Sequence, residues 1–150
     1  MNRHNRLNIL QYNVRKSRDM VMASLLRDPG TYDFDIIAIQ EPWKNPYTAT
    51  THHPSKDRFH LCYPTEDTEG SARVCFFVNK KIDQTRWRFE ERTRDICSIL
   101  LDPTADQQSQ ERVVIHNVYN PPKTSGNRQC ITAGAGGIAA SPDKRTSAAR

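Results

Sequence analysis

Short apolar runs separated by polar joints dominate the chain as far as Pro122. LNILQYNV (7–14) and DIIAIQEP (35–42) come first, followed by RFHLCYP (58–64) and ARVCFFVNKK (72–81). TRWRFEE (85–91), DICSILLD (95–102) and RVVIHNVYN (112–120) complete the series. Runs this short, rich in β-branched and aromatic residues and closed by turn formers, predict strands, the first, second and last of them buried. TRWRFEE alternates with period two, which puts Trp87 and Phe89 on one face and Arg86 and Arg88 on the other. One segment breaks the pattern. After the first strand, Ser17 is placed to cap a helix running to about Asp28, with Val21 and Leu25 in line, Met22 and Leu26 extending the apolar side, and Pro29-Gly30 as its stop. Strand, helix, strand with short joints suggests a parallel crossover. From about Arg27 onward, successive strands with polar turns favour antiparallel pairing. A helix and about seven strands make an α/β layered domain.

Three of the runs deliver polar side chains at their C-terminal ends, where ligands collect in open sheets. Asn13 stands near the end of the first, Glu41 just past the second, and Tyr119 with Asn120 at the end of the last. A carboxylate, a carboxamide and a phenol on one rim suit a divalent cation and a phosphate ester. Each residue also has a plainer reading. Glu41 alone could be a surface residue, Asn13 and Asn120 turn formers, and Tyr119 an interface aromatic. Their shared register favours the site. His52, His53, His60 and Cys62 lie close in sequence but match no zinc-finger spacing. Trp87 between Arg86 and Arg88 could stack a base, although a core Trp with solvated arginines is the commoner arrangement.

Composition changes the picture in two places. The net charge of +5 sits at the ends: residues 1–20 and 123–150 each carry +4, and the middle carries −3. Arg3, Arg6, Arg15, Lys16 and Arg18 form the first cluster, compatible with a phosphate-rich partner but equally with a solvated terminus. Beyond Pro122 there is no aromatic residue, and the Gly/Ala-rich stretch TAGAGGIAASP follows. Such a segment buries too little apolar area to offset its ordering entropy, so disorder is expected for 123–150, with a domain at 1–122. No run approaches the roughly 18 apolar residues that span a bilayer, and MNRHNRLNILQYNV has no secretory h-region. The four cysteines, 62, 75, 97 and 130, form no CxxC pair, and three lie in apolar runs. Reduced, buried thiols and an intracellular setting are expected.

The ordered series of a Q-x-N-V strand, an I-x-x-Q-E-P strand and an N-x-Y-x-P-P strand, with RVCFFVNKK and DICSILLD between, resembles the endonuclease/exonuclease/phosphatase superfamily. Within that DNase-I-like group it is closest to the endonuclease domain of non-LTR (LINE-type) retrotransposons. The resemblance covers about residues 6–122 and implies part of a four-layered α/β sandwich, namely its N-terminal half. It also implies a Mg²⁺-dependent phosphodiester hydrolase acting on DNA, in a nuclear setting. Carried over, Glu41 is the acidic metal ligand, Asn13 fixes the metal or the scissile phosphate, Tyr119 bonds the phosphate, and Asn120 contacts substrate. The family's later G-D-x-N and S-D-H motifs do not occur here, and the histidines (4, 52, 53, 60, 116) include no Asp-His pair near the C-terminus. The resemblance therefore implies weak or absent hydrolysis. It also leaves the VCFFV and ILL runs short of their usual cover, an exposed face for a complementary half or self-association. Another superfamily branch, such as a phosphatase, and a non-catalytic nucleic-acid-binding fragment are the competing readings.

Overall fold

The computed structural model describes residues 6–65, 70–104 and 111–122. The expectations for the 123–150 segment, for Arg3 and His4 and for Cys130 fall outside the described residues. The chain divides into two compact units, Met1–Tyr119 and Asn120–Arg150. All strands and the helix described below belong to the first.

In chain order the elements are β1 (Ile9–Asn13), helix α1 (Asp19–Arg27), a 3-10 turn (Pro29–Asp33), β2 (Ile36–Gln40) and β3 (Phe59–Cys62). Then come β4 (Val74–Asn79), a short 3-10 turn (Gln84–Arg86), β5 (Trp87–Thr93), β6 (Ile96–Leu101) and β7 (Val113–Val118). The strands form two sheets, ordered β1-β2-β4-β3 and β5-β6-β7. β1 and β2 pair in parallel through the α1 crossover, and every other pairing is antiparallel. β4 lies between β2 and β3, so β2 and β3, consecutive in sequence, do not touch as neighbours.

Period-two alternation along β2 and β4 assigns each side chain to one of two cores. Ile37, Ile39, Cys75 and Phe77 face α1, where Met22 and Leu26 are fully buried among them. Ile36, Ala38, Val74, Phe76 and Val78 face the second sheet and meet Trp87, Cys97 and Ile99. The first sheet is thus buried on both faces, which is why IIAI and VCFFV read as continuous apolar runs. The layers are helix, sheet, sheet. Four fully buried Ile/Val/Phe side chains of β4 alone supply several kcal/mol at roughly 1.5–3 kcal/mol each.

Three expectations are corrected. First, β7 is largely exposed rather than buried, with Val113 and Val114 more than two-fifths open, and so is the edge strand β1, with Ile9 and Tyr12 each more than two-fifths open. β1 has β2 on one side only, so its apolar residues have little to pack against. Second, the helix starts at Asp19 with Arg18 at the cap position and no side-chain cap. Ser17 is instead drawn into the turn after β1, its N–H donating to the Val14 carbonyl. Third, VCFFV is not an exposed face. It is fully buried between α1 and the second sheet, as are Cys97 and Ile99 of the DICSILLD run. The exposed large apolar residues are scattered over β1, α1, Tyr47 and β7.

Candidate functional site

The first-sheet strands β1 and β2 end side by side, with Asn13 paired in register with Gln40. Past these ends the chain reverses sharply. Arg15 and Lys16 both have φ of 52°, and Glu41 has φ of 50°, the left-handed region that non-glycine residues avoid. Glu41 also precedes Pro42, a position that normally favours extended backbone. Such a conformation costs of order 1–3 kcal/mol and persists only where neighbours enforce it. Here they are the Arg73 carbonyl, which accepts from the Glu41 N–H at 2.7 Å, and the Lys16 N–H, which donates to the Glu41 carbonyl at 2.8 Å.

The Asn13 carboxamide is oriented from both ends. Its Oδ1 accepts from the Arg15 N–H at 2.8 Å, an Asx turn, and its Nδ2 donates to Glu41 Oε1 at 3.3 Å. From the second sheet, Tyr119 follows β7 and its phenol lies within electrostatic reach of the Glu41 carboxylate. Partial burial, followed by the bond to Glu41 and the carboxylate's charge, raises the phenol above its ordinary value, while the Arg73 guanidinium pulls the other way. The phenol therefore keeps its proton at neutral pH. Asn13, Glu41 and Tyr119 are brought together on one rim. Asn120 belongs to the second unit and is exposed.

Polar side chains that the sequence reading passed over hold the rim. Asn117, buried inside β7, donates through Nδ2 to the Ile39 carbonyl at 2.8 Å and the Cys75 carbonyl at 2.9 Å, so one amide ties β7 to both β2 and β4. Gln40 Nε2 donates to the Val118 carbonyl at 2.6 Å. Arg73 and Asp95 form a two-pronged ion pair at 2.5 and 2.6 Å, with the Arg73 guanidinium 5.0 Å from the Tyr119 ring centre. The available signal was a polar residue at an inward position of an apolar strand. Asn117 satisfies it; Arg73 and Asp95, at strand approaches, do not.

Next to the rim lies a cleft of about 420 Å³ lined by Lys16, Pro42, Trp43, Lys44, Ser71, Ala72, Arg73 and Arg94. Four of its described lining residues are cationic, and one of them, Arg73, is paired with Asp95. A second open groove, between β1 and α1, is lined by Tyr12, Met20, Val21, Ser24, Leu25 and Asp28 and carries no convergent polar groups.

The histidines do other work. His53 Nε2 bonds the Phe59 carbonyl at 3.0 Å, its ring packs on Phe77, and burial lowers its pKa. His52 meets Trp43, His60 meets Trp87, and His116 Nδ1 pairs with Ser98 at 2.7 Å. Cys62 faces the inter-sheet core. Among the described residues no group of three or more His, Cys, Asp or Glu side chains could hold a metal ion. Trp87 lies in the core and Arg88 in solvent. No helix among the described residues is long and apolar enough to cross a membrane.

The structure is similar to that of the endonuclease domain of TRAS1, a telomere-specific non-LTR retrotransposon, with a TM-score of 0.51 and 16% sequence identity. The match covers 79% of this chain and 48% of that one, so the chain spans about half the length of that domain. At this identity the likeness establishes the fold, which is mixed α/β with two sheets, part of a DNase-I-like sandwich. No family model and no curated protein matches the chain.

Proposed function

We propose that the Asn13–Glu41–Tyr119 rim binds a nucleic-acid phosphodiester together with a divalent cation, Mg²⁺, and that this chain by itself hydrolyses the ester weakly. The observation that carries the reading is the convergence of one carboxylate, one carboxamide and one phenol at the ends of two strands, beside a cleft whose described lining includes Lys16. The likeness to a retrotransposon endonuclease domain supports the nucleic-acid side of it.

The donor set fits Mg²⁺ better than zinc. Mg²⁺ takes hard oxygen ligands, keeps several waters and is commonly held by one or two carboxylates plus substrate phosphate oxygens. Glu41 would supply the carboxylate oxygen. Asn13 Oδ1, which already accepts from the Arg15 N–H, retains one lone pair for the ion or the ester. When bound, the cation polarises the phosphoryl oxygen and neutralises charge on the leaving oxygen. Tyr119, protonated at neutral pH and near Glu41, can donate to a phosphate oxygen. Lys16, at the edge of the rim, adds positive charge for the flanking backbone, a salt-sensitive and sequence-independent contribution.

Hydrolysis also needs a base to activate water, a role typically worth ~10²–10⁴ in rate. Of the described histidines, His53 is bonded to the Phe59 carbonyl and His116 to Ser98, while His52 and His60 lie against Trp43 and Trp87.

The test is Mg²⁺-dependent nicking of supercoiled plasmid, paired with salt-dependent binding of a short DNA duplex. The expected result is Mg²⁺-enhanced binding that Glu41→Ala weakens, with slow or undetectable nicking. Binding that is indifferent to both Mg²⁺ and Glu41→Ala would refute the reading.

A further inference from the structure

Glu41 and Tyr119 reach the rim from different sheets, so their contact depends on how the two sheets are held at that end. Two residues occupy the right place. Arg73 immediately precedes β4 of the first sheet, and Asp95 immediately precedes β6 of the second. Their side chains meet through two parallel hydrogen bonds, Nε to Oδ1 at 2.5 Å and Nη2 to Oδ2 at 2.6 Å. Both are about four-fifths shielded from solvent, so water competes little for the pair.

The same two residues hold the site residues through their main chains. The Arg73 carbonyl accepts from the Glu41 N–H at 2.7 Å, and the Asp95 carbonyl accepts from the Tyr119 N–H at 2.8 Å. The Arg73 N–H in turn donates to the Arg94 carbonyl at 2.7 Å, which adds a backbone link beside the ionic one. The guanidinium then lies against the Tyr119 ring, 5.0 Å from its centre, on a face it can favour electrostatically. Three hydrogen-bonded links run from Glu41 to Arg73, from Arg73 to Asp95 and from Asp95 to Tyr119, and they bring the phenol back to the neighbourhood of the Glu41 carboxylate.

We propose that the Arg73–Asp95 ion pair is a positioning pair that locks the ends of the two sheets together and so holds the Tyr119 phenol on the Glu41 carboxylate. Its significance for phosphate handling rests on the reading above; the positioning itself does not. A planar, two-pronged pair suits this task because it fixes orientation as well as distance, which a single-point lysine contact does not.

The experiment uses the full chain with ¹³C at the tyrosine ζ carbon, assigned to Tyr119 by Tyr119→Phe and read at neutral pH. Arg73→Met and Asp95→Asn should each move the Tyr119 resonance toward that of a solvent-exposed tyrosine. Arg73→Lys, which keeps the charge and loses the fork, should move it part of the way and serves if Arg73→Met does not fold. The exchanged pair Arg73→Asp with Asp95→Arg should restore the resonance. A double-mutant cycle supplies the second readout. Tyr119→Phe should lower the folding equilibrium constant severalfold in the native background and leave it unchanged in Asp95→Asn, where the phenol is already adrift. A Tyr119 resonance that stays put in folded Arg73→Met, Arg73→Lys and Asp95→Asn would overturn the proposal, as would an undiminished Tyr119→Phe effect in Asp95→Asn. Neither readout involves DNA or metal. Loss of the Glu41-dependent binding described above would remove the phosphate reading and leave this one standing.

Discussion

Asn117 offers the sharpest test of how the rim is built. Its amide is buried at 2% exposure and gives two hydrogen bonds, to the Ile39 and Cys75 carbonyls, while its own Oδ1 is buried with no partner. Removing the side chain with Asn117→Ala loses two bonds worth about 1 kcal/mol each and leaves two carbonyls poorly served, at about 1–3 kcal/mol of added cost. It also removes the orphaned oxygen, which returns about 1–3 kcal/mol. The net expectation is a loss of about 1–3 kcal/mol, or roughly 4–12 °C in Tm at about 4 °C per kcal/mol for a domain of this size. Asn117→Asp keeps the shape and removes the donors. An ionised carboxylate would then face two carbonyls in a dry interior, a cost of about 3–5 kcal/mol or more. The closer steric match should therefore be the worse variant. Burial would raise the new carboxyl's pKa, so its protonated form is favoured in the folded state. The loss should be least below the unfolded carboxyl value and grow as pH rises through it. Urea denaturation of the native chain and both variants, at pH 4 and pH 7, measures this directly. If Asn117→Asp matched Asn117→Ala at pH 7 and showed no pH dependence, the amide would not be the donor that ties β7 to β2 and β4, and the account of the rim would fail.

Two further outcomes are expected. Glu41 sits at φ 50° before a proline, so Glu41→Asn, with a side chain that tolerates the left-handed region, should be more stable than Glu41→Ala by up to about 1 kcal/mol, both variants losing the Glu41 contact to Asn13 and weakening Mg²⁺-enhanced DNA binding; thermal melts that rank Glu41→Ala equal to or above Glu41→Asn would mean the backbone there is unstrained. Burial pushes the Cys62 thiol up to about 12 from an ordinary 9.0 and raises Cys75 and Cys97 as well, so their share of stability is fully present below about pH 9 and is lost as pH rises toward 12. Unfolding followed from pH 8 to 11, with mass-mapped alkylation of the three thiols, should show protection giving way with that loss.

Much of the fold was legible because its strands carry their burial in their own residues. IIAI and VCFFV have no polar position to spare, and Met22 and Leu26 mark the buried side of α1. The three rim residues were legible for a related reason, since each is a polar group closing an apolar strand. Pairing was another matter. Nothing in RFHLCYP says that β4 will come between it and β2, because partner choice depends on which strand completes the core rather than on local pattern. β1 was misread for the same reason: LNILQYNV looks buried, but an edge strand has only one neighbour to bury it. Asn117, Gln40, Arg73 and Asp95 stayed hidden because their partners lie from 22 to 78 positions away, and a hydrogen bond leaves no periodicity.

The strand order has a consequence for how the chain acquires its shape. β2 is complete by residue 40, yet its antiparallel neighbour β4 does not begin until residue 74, and the layer over its other face arrives only with β6 and β7. Non-local pairing of this kind is slow, since loop closure must precede any reward. A chain emerging from its amino terminus can form the β1-α1-β2 unit early and must then hold Ile36 and Ala38 open until the rest is made. Tyr119, immediately after the last strand, is the final piece. Asn13 and Glu41 wait on a finished turn, and the rim closes only when the last strand docks. Maturation of the site and completion of the core are therefore one event, and pulse-labelled hydrogen exchange should find the amides of Glu41 and Tyr119 gaining protection in the same phase.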